Sequence, residues 1–301
     1  MRSSVTLVRA ACIDIGSNTT RLLVAEADPA RPGAVVEVAA HRTFVRLTAA
    51  ERRGGIPPEK ASAIAAAVAE QALAARASGC AALRVVATAA LRDAPGRDAL
   101  LAQLGAAAGV EVEVLSGEEE ARLAFAGATA SLAGDGVRDV VVADVGGGST
   151  ELAWGAPGAP PSWWASLPIG SGALAEARFT TDPPARDELR AARADAAAAI
   201  AAAGCPPADV AWAVGGSATS LRRLCGASLT AAALDAALER ITAAPALATA
   251  VDLDLHVERV RLLPAGLVLL AEIARAAQCP LHVGCGGLRE GVVLDLLARV
   301  G

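Results

Sequence analysis

Aromatic residues and lysine are scarce in this 301-residue sequence. Aromatics make up 2% of it, and tyrosine is absent. Hydrophobic residues still account for 54% of the chain, much of it alanine, so we expect cores built from Val, Leu, Ile and Ala. Lys60 is the single lysine among 27 basic residues. A Walker-type phosphate loop needs Gly-Lys-Ser/Thr, so this class of loop is excluded, and any phosphate binding must use backbone amides, arginines or a metal ion.

Long apolar segments and cysteine pairs are also missing. No apolar run approaches the roughly 20 residues that span a bilayer, and the N-terminus lacks the apolar stretch of a signal peptide. The six cysteines include no Cys-x-x-Cys pair, and Cys279, His282 and Cys285 have no fourth ligand for zinc. The net charge of −5 argues against general nucleic-acid binding. We therefore expect a cytoplasmic protein with reduced cysteines and neither a nucleic-acid nor a membrane partner.

A glycine-rich segment near the middle of the chain has the pattern of a phosphate-binding loop. Residues 140–143 are apolar and predict a buried strand, which ends at a carboxylate followed by three glycines. Because glycine has no Cβ, such a turn can point several backbone N–H groups at one phosphate. Two hydroxyl donors and two carboxylates that suit Mg²⁺ flank the glycines: Ser149 and Thr150, and Asp144 and Glu151. A hairpin turn with incidental acidic residues is the alternative, because short glycine motifs are weak signals.

The same pattern occurs a second time, near the N-terminus. In this copy Asp14 aligns with Asp144, and the glycine, hydroxyl and apolar positions that follow also align: Gly16 with Gly146, Thr20 with Thr150, and Leu22 with Leu152. Each copy continues into apolar residues typical of the return strand of a hairpin. Two such copies indicate duplicated halves. They predict two domains whose phosphate loops face each other across a cleft.

Apolar periodicity predicts the surrounding elements. We expect strands at 35–47, 83–87, 110–115, 163–167, 210–214 and 281–283. Helices are predicted at 61–77, 181–203, 262–276 and 288–300. Ile64, Val68 and Leu73 are predicted to lie near the buried face of the first of these helices.

Three further groups follow predicted strands. Arg92 comes just after a strand end, where ligands of α/β sheets bind, although a surface arginine near a helix start is the alternative. Ser116 and Glu119 form a capping box, which explains Glu119 as helix chemistry. Glu120 is not needed for the cap, and at the domain junction it is placed to face the cleft as a general base. Residues 215–217 are a third strand–glycine–hydroxyl turn, and the helix N-terminus there suits an anion.

Seven segments together resemble the exopolyphosphatase/guanosine pentaphosphate phosphohydrolase family, a branch of the actin, sugar-kinase and heat-shock ATPase superfamily. They occur in family order over nearly the whole chain: IDIGSNTTRLLV, ATAALRDA, LSGEEEARLAFAGA, VVADVGGGSTEL, SLPIGSGAL, AVGGSATSL and CGGLREGVVLDLL. The resemblance implies an α/β fold of two actin-like (ribonuclease H-like) domains, each a mixed β-sheet flanked by helices, with an interdomain cleft. Domain I is expected at residues 1–117 plus 287–301, and domain II at 118–286.

The resemblance also implies residue roles and a Mg²⁺ cofactor. Glu120 resembles the catalytic base and Arg92 the phosphate-contacting arginine. Asp144 and Glu151 resemble the metal-binding and water-positioning carboxylates, with Asp14 facing them. The phosphate-binding set comprises Ser17, Asn18, Thr19, Gly146, Gly147, Gly148, Ser149, Thr150, Gly215, Gly216 and Ser217. In one place the sequence departs from the family: Arg46-Leu47 is followed by Thr48-Ala49-Ala50-Glu51 where the family has Gly-Glu-Gly.

The resemblance implies an exopolyphosphatase that releases terminal orthophosphate from inorganic polyphosphate by Mg²⁺-assisted attack of water. One alternative keeps the fold and changes the substrate to guanosine pentaphosphate (pppGpp). Another is a non-catalytic regulator that binds polyphosphate or nucleotide, since related folds include such proteins. A sugar kinase is less favoured, because no separate sugar-binding signature is present. A homodimer is expected from the resemblance alone.

Overall fold

The computed structural model describes residues 8–132, 136–226 and 228–300. Residues 1–7, which belong to the predicted domain I and to the N-terminus interpreted above, lie outside this part. The described chain forms two mixed β-sheets flanked by helices, as predicted. Among the described residues, no helix combines the length and the apolar character needed to cross a membrane.

The first sheet has five strands in the order β3-β2-β1-β4-β5. These are β1 (Arg9–Ile15), β2 (Thr19–Ala27), β3 (Val35–Phe44), β4 (Ala82–Ala87) and β5 (Val112–Val114). Strands β1, β4 and β5 are parallel, whereas β2 is antiparallel to both of its neighbours. The helices of this half are α1 (Ala49–Gly54), α2 (Pro58–Ala77), α3 (Ala89–Arg92) and α4 (Arg97–Ala108).

The second sheet has six strands in the order β10-β11-β9-β6-β7-β8. They are β6 (Val140–Val145), β7 (Thr150–Gly155), β8 (Trp163–Leu167), β9 (Val210–Val214), β10 (Ser228–Leu229) and β11 (Leu281–Val283). Its helices are α6 (Ser171–Arg178), α7 (Arg186–Ala203), α8 (Gly215–Cys225), α9 (Ala231–Ile241), α10 (Ala246–Leu253) and α11 (Val257–Ala277). Two more helices, α5 (Gly117–Thr129) and α12 (Leu288–Val300), lie between the sheets.

The two sheets repeat one topology. Strands β8-β7-β6-β9-β11 have the same order and the same relative directions as β3-β2-β1-β4-β5. The register also repeats: Asp14 pairs with Arg21 in the first hairpin, and Asp144 pairs with Glu151 in the second. Arg21 and Glu151 therefore occupy equivalent positions in the two halves, although their charges are opposite.

Helices α5 and α12 join the two cores. Leu123 of α5 packs with Val292 of α12 against the first sheet, whereas Phe125 of α5 packs against the second sheet. The helices approach closely, because a Cβ atom on Gly127 would lie 2.6 Å from the backbone N of Gly291. Since α5 contributes to both cores, the domain boundary at residues 117 and 118 stays a prediction.

The observed elements depart from the predicted ones in three instructive places. Helix α2 begins at Pro58, because proline is favoured in the first helical turn. Its buried stripe includes Ile64 and Val68, but Leu73 is 66% exposed, so that prediction was wrong. Helix α7 begins at Arg186 rather than at residue 181, since prolines at 183 and 184 precede it.

The capping box predicted at the start of α5 is only half formed. The Ser116 hydroxyl accepts a hydrogen bond from the N–H of Glu119, as expected of an N-cap. The Glu119 carboxylate does not return to the Ser116 backbone. Instead it accepts two hydrogen bonds of 2.8 Å from the Arg122 guanidinium. Glu119 is thus a structural residue of the helix surface.

Candidate active site

The two glycine turns meet at the centre of the molecule. In the first hairpin the N–H of Gly16 donates to the carbonyl of Thr19, and in the second the N–H of Gly146 donates to the carbonyl of Ser149, both at 3.0 Å. The tips of the turns touch, because a Cβ atom on Gly147 would lie 2.8 Å from Cγ of Asn18. The predicted opposition of the two loops is therefore present in the structure.

Helix α6 orients the second turn. The N–H of Ser171 donates to the carbonyl of Gly146, and the N–H of Gly172 donates to the carbonyl of Gly147, both at 2.9 Å. The N–H groups of Gly147 and Gly148 donate to no carbonyl group among the described residues. Unpartnered amides at a glycine turn are suitable donors to a phosphate oxygen.

A cavity of about 150 Å³ lies between the loops and carries charges of both signs. Its carboxylates are Asp14, Glu120, Asp144, Glu151 and Glu290, and its arginines are Arg21, Arg259 and Arg289. The predicted residues Ser17, Asn18, Thr19, Gly146, Gly147, Gly148, Ser149, Gly215 and Gly216 also line it. Most of the predicted site is thus brought together around one cavity.

Glu120 projects from the first turn of α5 and is 4% exposed. The Arg92 guanidinium forms an ion pair with its carboxylate, and Nε of Arg92 donates to the carbonyl of Leu115 at 3.0 Å. Burial raises the pKa of Glu120 and the Glu151 carboxylate raises it further, while Arg92 opposes both. Arg92 does not line the cavity, so it acts on the site through its ion pair with Glu120.

Glu151 and Asp144 are cross-strand neighbours on β7 and β6. Oε1 of Glu151 accepts a hydrogen bond of 2.9 Å from the Ser166 hydroxyl, which orients the carboxylate. Burial and the charge of Asp144 raise the pKa of Glu151 to about 7, and burial and the charge of Asp14 raise the pKa of Asp144 to about 6. The carboxylates therefore repel one another, and a cation among them would relieve that repulsion.

Two carboxylates of the cavity fit a magnesium ion. Among the described residues, no three His, Cys, Asp or Glu side chains form a complete metal cluster, so the predicted trio of Asp14, Asp144 and Glu151 is not a preformed cage. Oδ1 of Asp14 is buried, and none of the residues that the structure describes forms a hydrogen bond with it. Mg²⁺ commonly uses one or two carboxylates and completes its octahedron with water and phosphate oxygens. Asp14 and Asp144 meet this description.

Two predicted phosphate ligands point away from the cavity. Thr150 is fully buried and its hydroxyl donates to the carbonyl of Ile169 at 2.6 Å. Ser217 is 2% exposed and packs against α11, where a Cβ atom on Gly266 would lie 2.8 Å from its Oγ. Neither residue lines the cavity, so the predicted contact of these side chains with phosphate is not supported.

Sequence reasoning missed the three arginines of the cavity. Arg21 is the register equivalent of Glu151, so the internal repeat could have revealed it. Arg259 of α11 is 9% exposed, and a Cβ atom on Gly216 would lie 2.8 Å from its Nη2. Burial lowers the pKa of Arg259 to about 10, and within the described ranges its Nε has no hydrogen-bond partner. No local signal marked Arg259 or Arg289.

Comparison with known proteins agrees with this geometry. The sequence profile of the Ppx/GppA phosphatase family matches residues 24–300. Exopolyphosphatase 1 of Mycobacterium leprae is 34% identical over 233 residues, which cover 75% of this chain and 67% of that protein. Exopolyphosphatase 2 of Mycobacterium tuberculosis is 38% identical over 195 residues, covering 62% of this chain and 60% of that protein. The chain thus spans about two thirds of the length of these relatives.

Solved structures match over almost the whole chain. An exopolyphosphatase-like protein has a TM-score of 0.85 and 28% identity, with 97% of this chain and 98% of that chain covered. The Ppx-GppA enzyme of Aquifex aeolicus has a TM-score of 0.79 and 25% identity, and the match covers 96% of this chain and 99% of that chain. The fold of two mixed sheets flanked by helices is thus shared with these solved structures. With this fold, this pair of glycine turns and a profile match over residues 24–300, the chain belongs to the Ppx/GppA phosphatase family.

Proposed function

We propose that this protein is a phosphoanhydride hydrolase that releases terminal orthophosphate from inorganic polyphosphate. The observation that carries the proposal is the cavity itself, which two glycine turns, three arginines and five carboxylates line together. Such a site binds phosphate oxygens on one side and offers a base for water on the other. The names of the exopolyphosphatase relatives support the same substrate class.

The terminal phosphate is assigned to the glycine turns. The N–H groups of Gly147 and Gly148, with the hydroxyls of Ser17 and Ser149, provide short-range donors. Arg21 adds positive charge from β2. Donors placed before the reaction stabilise the charge that develops on the phosphoryl oxygens without further reorganisation.

Asp14 and Asp144 are the residues that would hold Mg²⁺. When bound, the ion supplies positive charge to the terminal phosphate oxygens. Burial raises the pKa of Asp14, and burial together with the charge of Asp14 raises the pKa of Asp144 to about 6, so a cation beside these two carboxylates would stabilise their ionised forms.

Glu120 is assigned as the general base. Attack on the terminal phosphorus forms the new P–O bond from water while the bridging P–O bond breaks, and the water proton passes to the Glu120 carboxylate. A raised pKa makes that carboxylate a stronger base once it is ionised, and the ion pair with Arg92 favours the ionised form. Glu151, whose carboxylate accepts a hydrogen bond from Ser166, is assigned to align the water.

The test is phosphate release with Mg²⁺ from polyphosphate, comparing Glu120→Gln with Glu118→Gln. Both glutamates are in the first turn of α5, but Glu118 is exposed. We expect Glu120→Gln to lose at least about 100-fold in kcat while binding polyphosphate, and Glu118→Gln to retain activity. Turnover that survives in Glu120→Gln would remove this residue from the role of base.

A second cavity favours pppGpp as the second candidate substrate. It measures about 380 Å³ and adjoins the first, since Asn18 and Arg259 line both. Phe44 and Phe179 give it an apolar portion that could accept a nucleoside. Parallel assays with polyphosphate and pppGpp decide between them. Binding of polyphosphate or pppGpp without release of phosphate would instead favour a non-catalytic regulator. The homodimer and the cytoplasmic location stay predictions.

A further inference from the structure

A row of three charged residues crosses the first sheet. Asp14 on β1 pairs in register with Arg21 on β2, which pairs in register with Arg42 on β3. Side chains directly opposite each other in antiparallel strands lie on the same face of the sheet. Asp14 and Arg21 line the active-site cavity, so Arg42 lies on the same face, one strand further out, and it is exposed. Adjacent strands are about 4.8 Å apart, which gives the row a length of about 10 Å.

The two arginines of this row form no ion pair in the part of the chain that the structure describes. Among the described residues, no acidic group lies within ion-pair distance of Arg21 or Arg42, whereas most other described arginines have such a partner. Like charges directly opposite across strands are destabilising. Burial, Arg289 and Arg42 lower the pKa of Arg21 to about 10, and the smaller opposing effects of Asp14 and Glu290 leave a net positive field at the row. A polyanion along the row would compensate it.

We propose that Arg42 binds the phosphates of a polyphosphate chain that lie beyond those bound in the cavity. The inference rests on the proposed function and extends it, because it assigns a subsite for longer chains. In this arrangement the chain end lies at Asp14 and the glycine turns, the next phosphates pass Arg21, and the chain leaves the cleft along Arg42. Arg42 therefore favours long chains over substrates that end inside the cavity.

The alternative role for Arg42 is that of an ordinary surface arginine. The two roles differ in their dependence on chain length. A surface arginine affects tripolyphosphate and long-chain polyphosphate equally. An outer subsite affects only the substrate that reaches it, and its contribution falls as salt screens the charges.

The experiment measures kcat and KM for tripolyphosphate and long-chain polyphosphate with Arg42→Gln, Arg42→Lys and Arg240→Gln. Arg240 is an exposed arginine of α9 that lines neither cavity. We expect Arg42→Gln to raise KM for the long chain by roughly 5- to 10-fold at low salt, with kcat and the tripolyphosphate KM unchanged. Arg42→Lys should restore part of the affinity, and Arg240→Gln should match the wild type.

Equal KM changes for both substrates, or no change for the long chain, would overturn the assignment. Direct binding of the same two polyphosphates to each variant in the Glu120→Gln background gives a readout that does not need turnover. If the wild type released no phosphate from any polyphosphate, the proposed function would fail. The binding comparison would still decide the role of Arg42: chain-length-dependent loss supports the subsite, and uniform affinity rejects it.

Discussion

Gly147 lies against the side chain of Asn18, with no room for a methyl group between them. A Cβ atom on Gly147 would lie 2.8 Å from Cγ of Asn18 and would also overlap the Ser17 hydroxyl. The two loops follow strands of different sheets, so this contact joins the two halves of the molecule at the bottom of the cleft. Position 147 therefore requires glycine, because the space beside Asn18 and Ser17 does not hold a Cβ atom.

We expect Gly147→Ala to reduce kcat/KM strongly, by about 100-fold, because the side chains of Ser17 and Asn18, which line the cavity, would have to move aside. Gly148→Ala is the matched control, since its Cβ would lie 3.7 Å from Oγ of Ser17, an ordinary contact. Steady-state kinetics on polyphosphate, with circular dichroism to confirm folding, makes the comparison. Equal losses in the two variants would show that the lack of space beside Gly147 is not the cause.

The free energy of unfolding should fall as pH rises in metal-free buffer. Glu151 has an ordinary pKa of 4.5, which its folded environment raises to about 7. The unfolded chain therefore releases the Glu151 proton at lower pH than the folded protein does. As a result, the free energy of unfolding decreases between about pH 4.5 and pH 7 and stays reduced above pH 7. We expect Glu151→Gln to be about 1–3 kcal/mol more stable than the wild type at pH 8 and equal to it at pH 4. Thermal unfolding with a chelator present measures this, and a variant less stable at pH 8 would contradict it.

Magnesium should stabilise the folded protein without any substrate. A ligand that binds only the folded state at 100 times its Kd adds about 2.7 kcal/mol to the free energy of unfolding. We expect a rise in Tm with Mg²⁺ at pH 8, reversal by chelator, and a much smaller rise in Asp144→Asn. Asp98→Asn, at an exposed position on α4, is the control. An equal rise in Asp144→Asn would place the ion elsewhere.

Gly127 should be required for the packing of α5 on α12. A Cβ atom there would lie 2.6 Å from the backbone N of Gly291, which cannot move as a side chain can. We expect Gly127→Ala to cost about 1–3 kcal/mol of stability. Gly54→Ala, where a Cβ meets nothing within 4 Å, should be neutral or stabilising by about 0.5 kcal/mol. Urea unfolding of both variants tests this, and similar midpoints would refute it.

Local patterns were sufficient for the strands and for the loops that follow them. Asp14 and Asp144 end buried strands at glycine turns, and strand and turn both depend on residues close in sequence. The error at Leu73 came from the alanine content of α2, because small apolar residues all around a helix leave its buried face poorly marked. The prediction that Thr150 contacts phosphate was avoidable. Consecutive residues of a strand point to opposite faces of the sheet, so a Glu151 side chain in the cleft requires the Thr150 side chain to point into the core.

The sequence by itself determined the family, the two-sheet architecture and the glycine turns, because strand alternation and turn chemistry act over a few residues. Only the tertiary structure decided which charged groups share the cavity. Arg259 on α11 and Arg289 on α12 reach Asp14 from the far end of the chain. The close contact of Gly147 with Asn18 likewise exists only after both sheets have formed and the helices between them have packed. Contacts of this kind depend on packing between distant segments, and no short pattern encodes them.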